Sequence, residues 1–179
     1  VLLIVPLISI IFATIHFYNS TEFIELLVSQ PINRRKIFLS EYLGVGLSLA
    51  MAFIVGVGVP AMLFNPSPTS IYLVTSGVFL SFIFTSLAFL ASVLTRDKAK
   101  GIGIALMLWF YFSLLYDGIV MFILFYFADY PLDNVTLLLL SLNPIDLGRV
   151  LVLLNIDVSA LMGYTGALYK SFFGNWTGM

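Results

Sequence analysis

Residues 71–94 read IYLVTSGVFLSFIFTSLAFLASVL, 24 consecutive positions without an Asp, Glu, Lys or Arg. A helix rises about 1.5 Å per residue, so this run covers the roughly 30 Å of hydrocarbon in a bilayer, for which about 20 apolar residues are enough. It reads as a transmembrane helix. Working outward, three more apolar runs free of Lys and Arg lie at 1–18, 39–63 and 101–127, each near or above the spanning length. Across the chain 61% of residues are hydrophobic and 9% charged, and the mean hydropathy is +1.09; soluble domains carry roughly a quarter charged residues. The sequence predicts an all-α, polytopic transmembrane helix bundle, one domain over 1–179, with the lipid bilayer as its solvent.

The breaks between runs are polar or turn-forming: 19–38 carries Glu22, Glu25, Arg34, Arg35 and Lys36, 64–70 reads FNPSPTS, 95–100 reads TRDKAK and 128–134 reads ADYPLDN. Six of the eight Lys and Arg (Arg34, Arg35, Lys36, Arg96, Lys98, Lys100) fall in the first and third breaks. The positive-inside rule puts loops 19–38 and 95–100 in the cytoplasm, and one orientation then satisfies all four breaks. Val1 would start on the outer side. It opens directly into VLLIVPLISIIFATIHFY with no Met and no basic segment, which suits an interior span better than a signal peptide. We expect a fragment that lacks sequence at both ends.

After Asp133 the runs shorten. VTLLLLSL at 135–142 and LGRVLVLL at 147–154 are each too short to span and are separated by NPID, which predicts a re-entrant hairpin or interfacial helices packed against the other spans. The remainder, NIDVSALMGYTGALYKSFFGNW, mixes small and aromatic residues in the manner of an outer membrane interface. The expected outer re-entrant region is thus 128–179.

Composition excludes several functions. A net charge of −1 is no footprint for nucleic acid. With no cysteine and one histidine, His16, there is no thiolate metal site, no Cys nucleophile and no His-based dyad, so His16 is expected to be an interfacial residue and the chain not an enzyme. Met51, Met62, Met107, Met121, Met162 and Met179 could suggest soft-metal handling, but they recur at no close spacing and are expected to pack as ordinary apolar residues. No phosphate-cradling glycine loop occurs; GIGIAL at 101–106 follows a basic loop and opens a span, the wrong setting for a nucleotide fingerprint. No cofactor is expected in this chain, and any ATP must be bound by a partner.

The break NSTEFIELLVSQPINRRKIF at 19–38 is itself amphipathic. On a helix Phe23, Leu26, Leu27 and Gln30 share one face while Glu22, Glu25 and Ser29 lie towards another. Asn19 is expected to cap this helix, with Glu22 completing a capping box; Pro31 ends it and Asn33 begins the next. A short helix across the cytoplasmic end of two spans can dock into a partner and pass its movement to both. The plainer reading is an interfacial loop helix with positive-inside charges.

ELLVSQPINRR at 25–35 resembles the ELLLSQPVSR segment after the second span of ABC-2 type permeases. LNPIDLGRVLVLL at 142–154 is similar to the segment after the fifth span in the NosY-type group, the permeases of nitrous oxide reductase maturation exporters, and GYTGALY at 163–169 fits that group. Val28 stands where Leu is usual and Asn33 where Ser or Thr is common. The resemblance implies that Glu22, Phe23, Glu25, Leu26, Leu27, Ser29, Gln30, Pro31, Arg34 and Arg35 form the coupling helix that seats on a cytoplasmic ATPase. It further implies a bacterial inner-membrane exporter built as a permease homodimer with two ATPases and a periplasmic accessory protein, with the family's first and last spans outside this chain. Its cargo would be a sulfur- or copper-related species for the copper sites of nitrous oxide reductase.

Two polar features lie outside this segment. Asp117, within WFYFSLLYDGIVMFILFYF, sits near the middle of the fourth run, where an acid costs at least about 2.5 kcal/mol unless paired or wet. It should face the bundle interior, with Tyr116 and Ser113 as partners by spacing, and either lines a cargo route or fixes helix packing. Asn143, Pro144, Asp146 and Arg149 form the outer re-entrant motif, in which Asp146 and Arg149, three apart, are expected to pair. Two rival functions remain: an ion-coupled transporter using Asp117, and an ABC-2 permease for polysaccharide, lipid or gliding motility.

Overall fold

The computed structural model describes residues 1–64, 68–127 and 133–154, and every regular element among them is a helix. The chain runs through α1 (Ile4–Asn19), α2 (Thr21–Val28), α3 (Arg34–Phe53), α4 (Val59–Phe64), α5 (Pro68–Leu94), α6 (Lys98–Phe110), α7 (Tyr116–Tyr126), α8 (Asp133–Ser141) and α9 (Pro144–Leu154). Three continuous helical stretches, Arg34–Phe64, Thr69–Leu94 and Lys98–Tyr126, are long and apolar enough to cross a membrane. Two further pairs reach that length only together: α1 with α2, bent by 54°, and α8 with α9, bent by 108°.

Two of the long stretches contain a π-helical turn. Ile54–Gly58 joins α3 to α4 and Tyr111–Leu115 joins α6 to α7. In the first, the Val59 N–H bonds Ile54 O five residues back, and Pro60, the next residue, has no N–H with which to continue the ladder. Each turn keeps the helix continuous while shifting the register of the side chains that follow it.

The core forms around α5. Half of its spanning window is buried, against 17% for each of the other two stretches, because α1, α3, α6 and α9 all pack against it. Ala13, Ala88, Ala91 and Ala105 are buried between these helices and let the backbones approach, while Phe84 and Phe89 fill the remaining volume. Gly77 is the tightest point between α3 and α5, where a β-carbon would overlap the Phe53 ring. The α5 hydroxyls return to their own helix: Ser81 donates to Gly77 O at 2.9 Å, Thr85 to Ser81 O at 2.7 Å and Ser92 to Ala88 O at 2.8 Å. None of the three leaves an unmet donor at membrane depth. Large apolar side chains such as Leu63, Phe64, Phe122 and Phe125 face outward, as they must where the surroundings are acyl chains.

Several expectations change in detail. Asn19 does not cap α2: it is the last residue of α1, and its Oδ1 accepts from Lys98 Nζ at 2.9 Å. Ser20 stands at the junction in helical conformation, so no residue takes the extended geometry that a capping box with Glu22 requires. The bend has a local cause, since Ser20 and Thr21 donate their hydroxyls to His16 O (2.8 Å) and Phe17 O (3.1 Å), a back-bonding that bends helices. Asn33 does cap α3, accepting from Arg35 N at 3.1 Å, and the helix starts at Arg34 within the polar break rather than at 39. Met51, Met62, Met107 and Met121 are exposed on the outer surface rather than packed inside. The expected interfacial stretch after Leu154 and residues 128–132 lie outside the described residues.

Candidate functional site

α2 projects from the end of the bundle where the two basic connections meet. Lys98 reaches Asn19, and the Tyr18 hydroxyl lies 2.9 Å from the Thr95 carbonyl oxygen, so breaks 19–38 and 95–100 are neighbours in space. α2 buries no residue. Ile24, Leu27 and Val28 are half-buried, whereas Phe23 and Leu26 are 60% and 65% exposed. The expected apolar face is therefore divided: Leu27 leans inward, while Phe23 and Leu26 point away from the chain's own core. Glu22 and Glu25 are exposed beside them.

The helix stops at Val28 because Pro31 disfavours helical backbone at Gln30. Ser29 donates its hydroxyl to Leu26 O at 2.7 Å, and Gln30 N bonds Leu27 O at 3.2 Å, satisfying two carbonyls of the last turn. Ser29 through Lys36 are exposed without interruption, including Pro31, Arg34 and Arg35. Thus all ten residues of the expected docking segment share one end of the molecule, and among them Phe23 and Leu26 on α2 and Pro31 beyond it are the apolar side chains left uncovered.

A second polar assembly joins the hairpin to the α6–α7 stretch. Asn143 is fully buried and begins α9: its Oδ1 accepts from Ile145 N (3.1 Å), and Pro144 takes the first helical position, where its missing N–H costs nothing. Its amide nitrogen donates to Asp146 Oδ2 (2.8 Å) and to Phe112 O (2.9 Å), a carbonyl within the π-helical turn. Arg149 Nη1 lies 3.4 Å from both Asp146 Oδ1 and Asp117 Oδ2. The expected Asp146–Arg149 contact is present, and Asp117 shares the same guanidinium.

The partners expected for Asp117 are not the observed ones. The Tyr116 hydroxyl donates to Leu139 O on α8, and Ser113 Oγ, although buried, has no hydrogen-bond partner. Helical spacing placed both residues near Asp117, but the π-helical turn rotates that face and the hairpin supplies the cation instead. Another contact absent from the sequence reading is His16 Nε2 to Glu41 Oε1, 2.9 Å apart between α1 and α3. The only signal for it was a Glu near the start of an apolar run. Among the described residues no group of three or more His, Asp or Glu is arranged to hold a metal.

Comparison with known proteins adds an independent line. The model of the ABC-2 family transporter proteins matches residues 2–179. A protein from Pseudomonas aeruginosa described as a probable ABC transporter permease protein NosY is 34% identical over 148 residues, covering 77% of this chain and 54% of that relative. Its namesake from Stutzerimonas stutzeri is 28% identical over 136 residues, covering 70% of this chain and 49% of the relative. The chain spans about half the length of the curated relatives it matches.

Proposed function

The chain belongs to the ABC-2 family of transporter proteins, and from that premise we propose that it is the core of a permease subunit in an inner-membrane exporter, driven by a separate cytoplasmic ATPase that seats on α2. The observation that carries this reading is the exposed pair Phe23 and Leu26 on a short helix with no buried residue, held at the basic end of the bundle. An aromatic and a leucine presented together are suited to filling a partner's groove, as amphipathic helices do elsewhere. Closure of two ATPases in a permease homodimer would press on α2, tilt the attached helices and open a path at the permease interface. This chain performs no chemistry; ATP is bound and hydrolysed by the partner.

For cargo we propose the Nos-type assignment: outward movement of a sulfur- or copper-related species for the copper sites of nitrous oxide reductase, with a periplasmic accessory protein as acceptor. Support comes from the two NosY-named relatives and from LNPIDLGRVLVLL at 142–154. An adjacent ATPase gene and a periplasmic copper-protein gene would agree with it; a polysaccharide or lipid synthesis cluster would replace it with another ABC-2 export role. The Asp117–Arg149 contact favours a packing role for Asp117 over ion coupling, because its charge already has a cation beside it.

Docking is tested by replacing Glu25 and Leu26 with Arg in the full-length permease. We expect membrane insertion to persist and stimulation of the co-purified ATPase to be lost. Unchanged stimulation sinks the docking role.

A further inference from the structure

The last turn of α1, immediately before α2, sends four consecutive side chains to three other elements. His16 contacts Glu41 on α3 at 2.9 Å. Phe17 packs edge-to-face on Phe89 of α5, with ring centres 5.2 Å apart, and Phe89 in turn meets Phe38 and Tyr42 of α3. The Tyr18 hydroxyl lies 2.9 Å from the Thr95 carbonyl oxygen, 2.7 Å from its hydroxyl and 3.5 Å from Ser92 O, covering carbonyls that the end of α5 leaves open. Asn19 accepts from Lys98 at the start of α6. Successive helical residues point about 100° apart, so a single turn of α1 touches α3, α5 and α6 at once.

Tyr18 is the most constrained of the four. Its ring lies over Gly101 in the first turn of α6, where a β-carbon would overlap the hydroxyl and approach two ring carbons to 2.6 Å. Glycine is therefore what lets the Tyr18 hydroxyl reach the α5–α6 corner. Gly103, two residues on, faces open space and has no such role.

We infer that the His16–Asn19 turn is the junction through which a push on α2 reaches the rest of the bundle, with Tyr18 as its positioning residue and Gly101 as its socket. The inference rests on the docking reading of α2 and adds a route to it. Along the backbone α2 is joined to α1 and α3 only; through Tyr18 and Asn19 it also moves the corner between α5 and α6. The 54° bend between α1 and α2 sits one residue beyond this junction, so the lever and its fulcrum are adjacent.

The test uses the full-length permease assembled with its ATPase in nanodiscs, with spin labels at Leu39→Cys on α3 and Leu94→Cys on α5. Docking is followed separately, by protection of Ile32→Cys, an exposed position just beyond α2, from a thiol reagent when the ATPase is bound. In the parent complex ATP should change the 39–94 distance. Tyr18→Phe and Gly101→Ala should keep Ile32→Cys protected and the KM for ATP unchanged, yet cut the distance change and the stimulated kcat at least twofold; Gly103→Ala should match the parent. A full distance response in Tyr18→Phe with docking intact overturns the inference, as does a parent complex that docks without any distance change. If Gly101→Ala does not assemble, Tyr18→Phe alone decides. Absence of Ile32→Cys protection in the parent complex defeats the docking reading instead, and the junction's role falls with it.

Discussion

Arg149 holds two acids from different parts of the chain, Asp146 three residues before it and Asp117 on the α6–α7 stretch. Breaking a fully buried ion pair costs about 3–5 kcal/mol and an exposed one under about 1. Arg149 and Asp117 are each 39% exposed while Asp146 is buried, so Arg149→Met should cost between about 1 and 3 kcal/mol. The check is the thermal unfolding midpoint of the full-length permease in detergent; an unchanged midpoint would mean the charges are already satisfied by solvent. Arg149→Lys should recover only part of the loss, because an ammonium keeps the charge that both carboxylates approach but carries it on a shorter side chain than the Nη1 now 3.4 Å from each. Half of this arrangement was readable from spacing, since Asp146 and Arg149 are three apart on a helix. The Asp117 contact was not, because 32 residues of chain separate it from Arg149 and a π-helical turn lies just before it.

Among the elements, α5 shows most clearly how apolar length and tertiary position differ. Three stretches pass as spans by length and composition, yet only α5 has half of its window covered by protein. Its central place depends on small residues opposite large ones, above all Gly77 against Phe53. Gly77→Val should force that ring aside and cost about 1–3 kcal/mol as overpacking, seen as a lowered unfolding midpoint, whereas Gly44→Val, at an open position on α3, should leave it nearly unchanged. Equal effects at both positions would count against α5 as the packing centre. The short helices obey other forces. Amphipathic spacing identified α2 and Pro31 its end, but the α1–α2 bend arises from back-bonding by Ser20 and Thr21, residues to which the expected Asn19–Glu22 capping box gave no part.

For the whole molecule, the contacts of Tyr18 with Thr95 and of Asn19 with Lys98 place breaks 19–38 and 95–100 at one end. Because the 179 residues contain no cysteine, this can be tested with single substitutions. Ser29→Cys and Lys98→Cys should both resist an impermeant thiol reagent in intact cells and react after permeabilisation, while Phe64→Cys, at the far end of α4, should react from outside. Labelling of Ser29→Cys in intact cells would invert the topology and remove α2 from reach of any ATPase. What the sequence alone determined was the class of solvent and the number of long apolar runs, because transfer into hydrocarbon depends on the composition of each segment and not on its neighbours. It also located the amphipathic break and the NPID turn, whose geometry is local. Which helix lies at the centre, which side chains meet across helices, and how α1 joins three elements in one turn were decided only by the tertiary structure. Those contacts follow from helix rotation and close approach, and two π-helical turns and a few glycines reset both by amounts that no periodicity in the chain encodes.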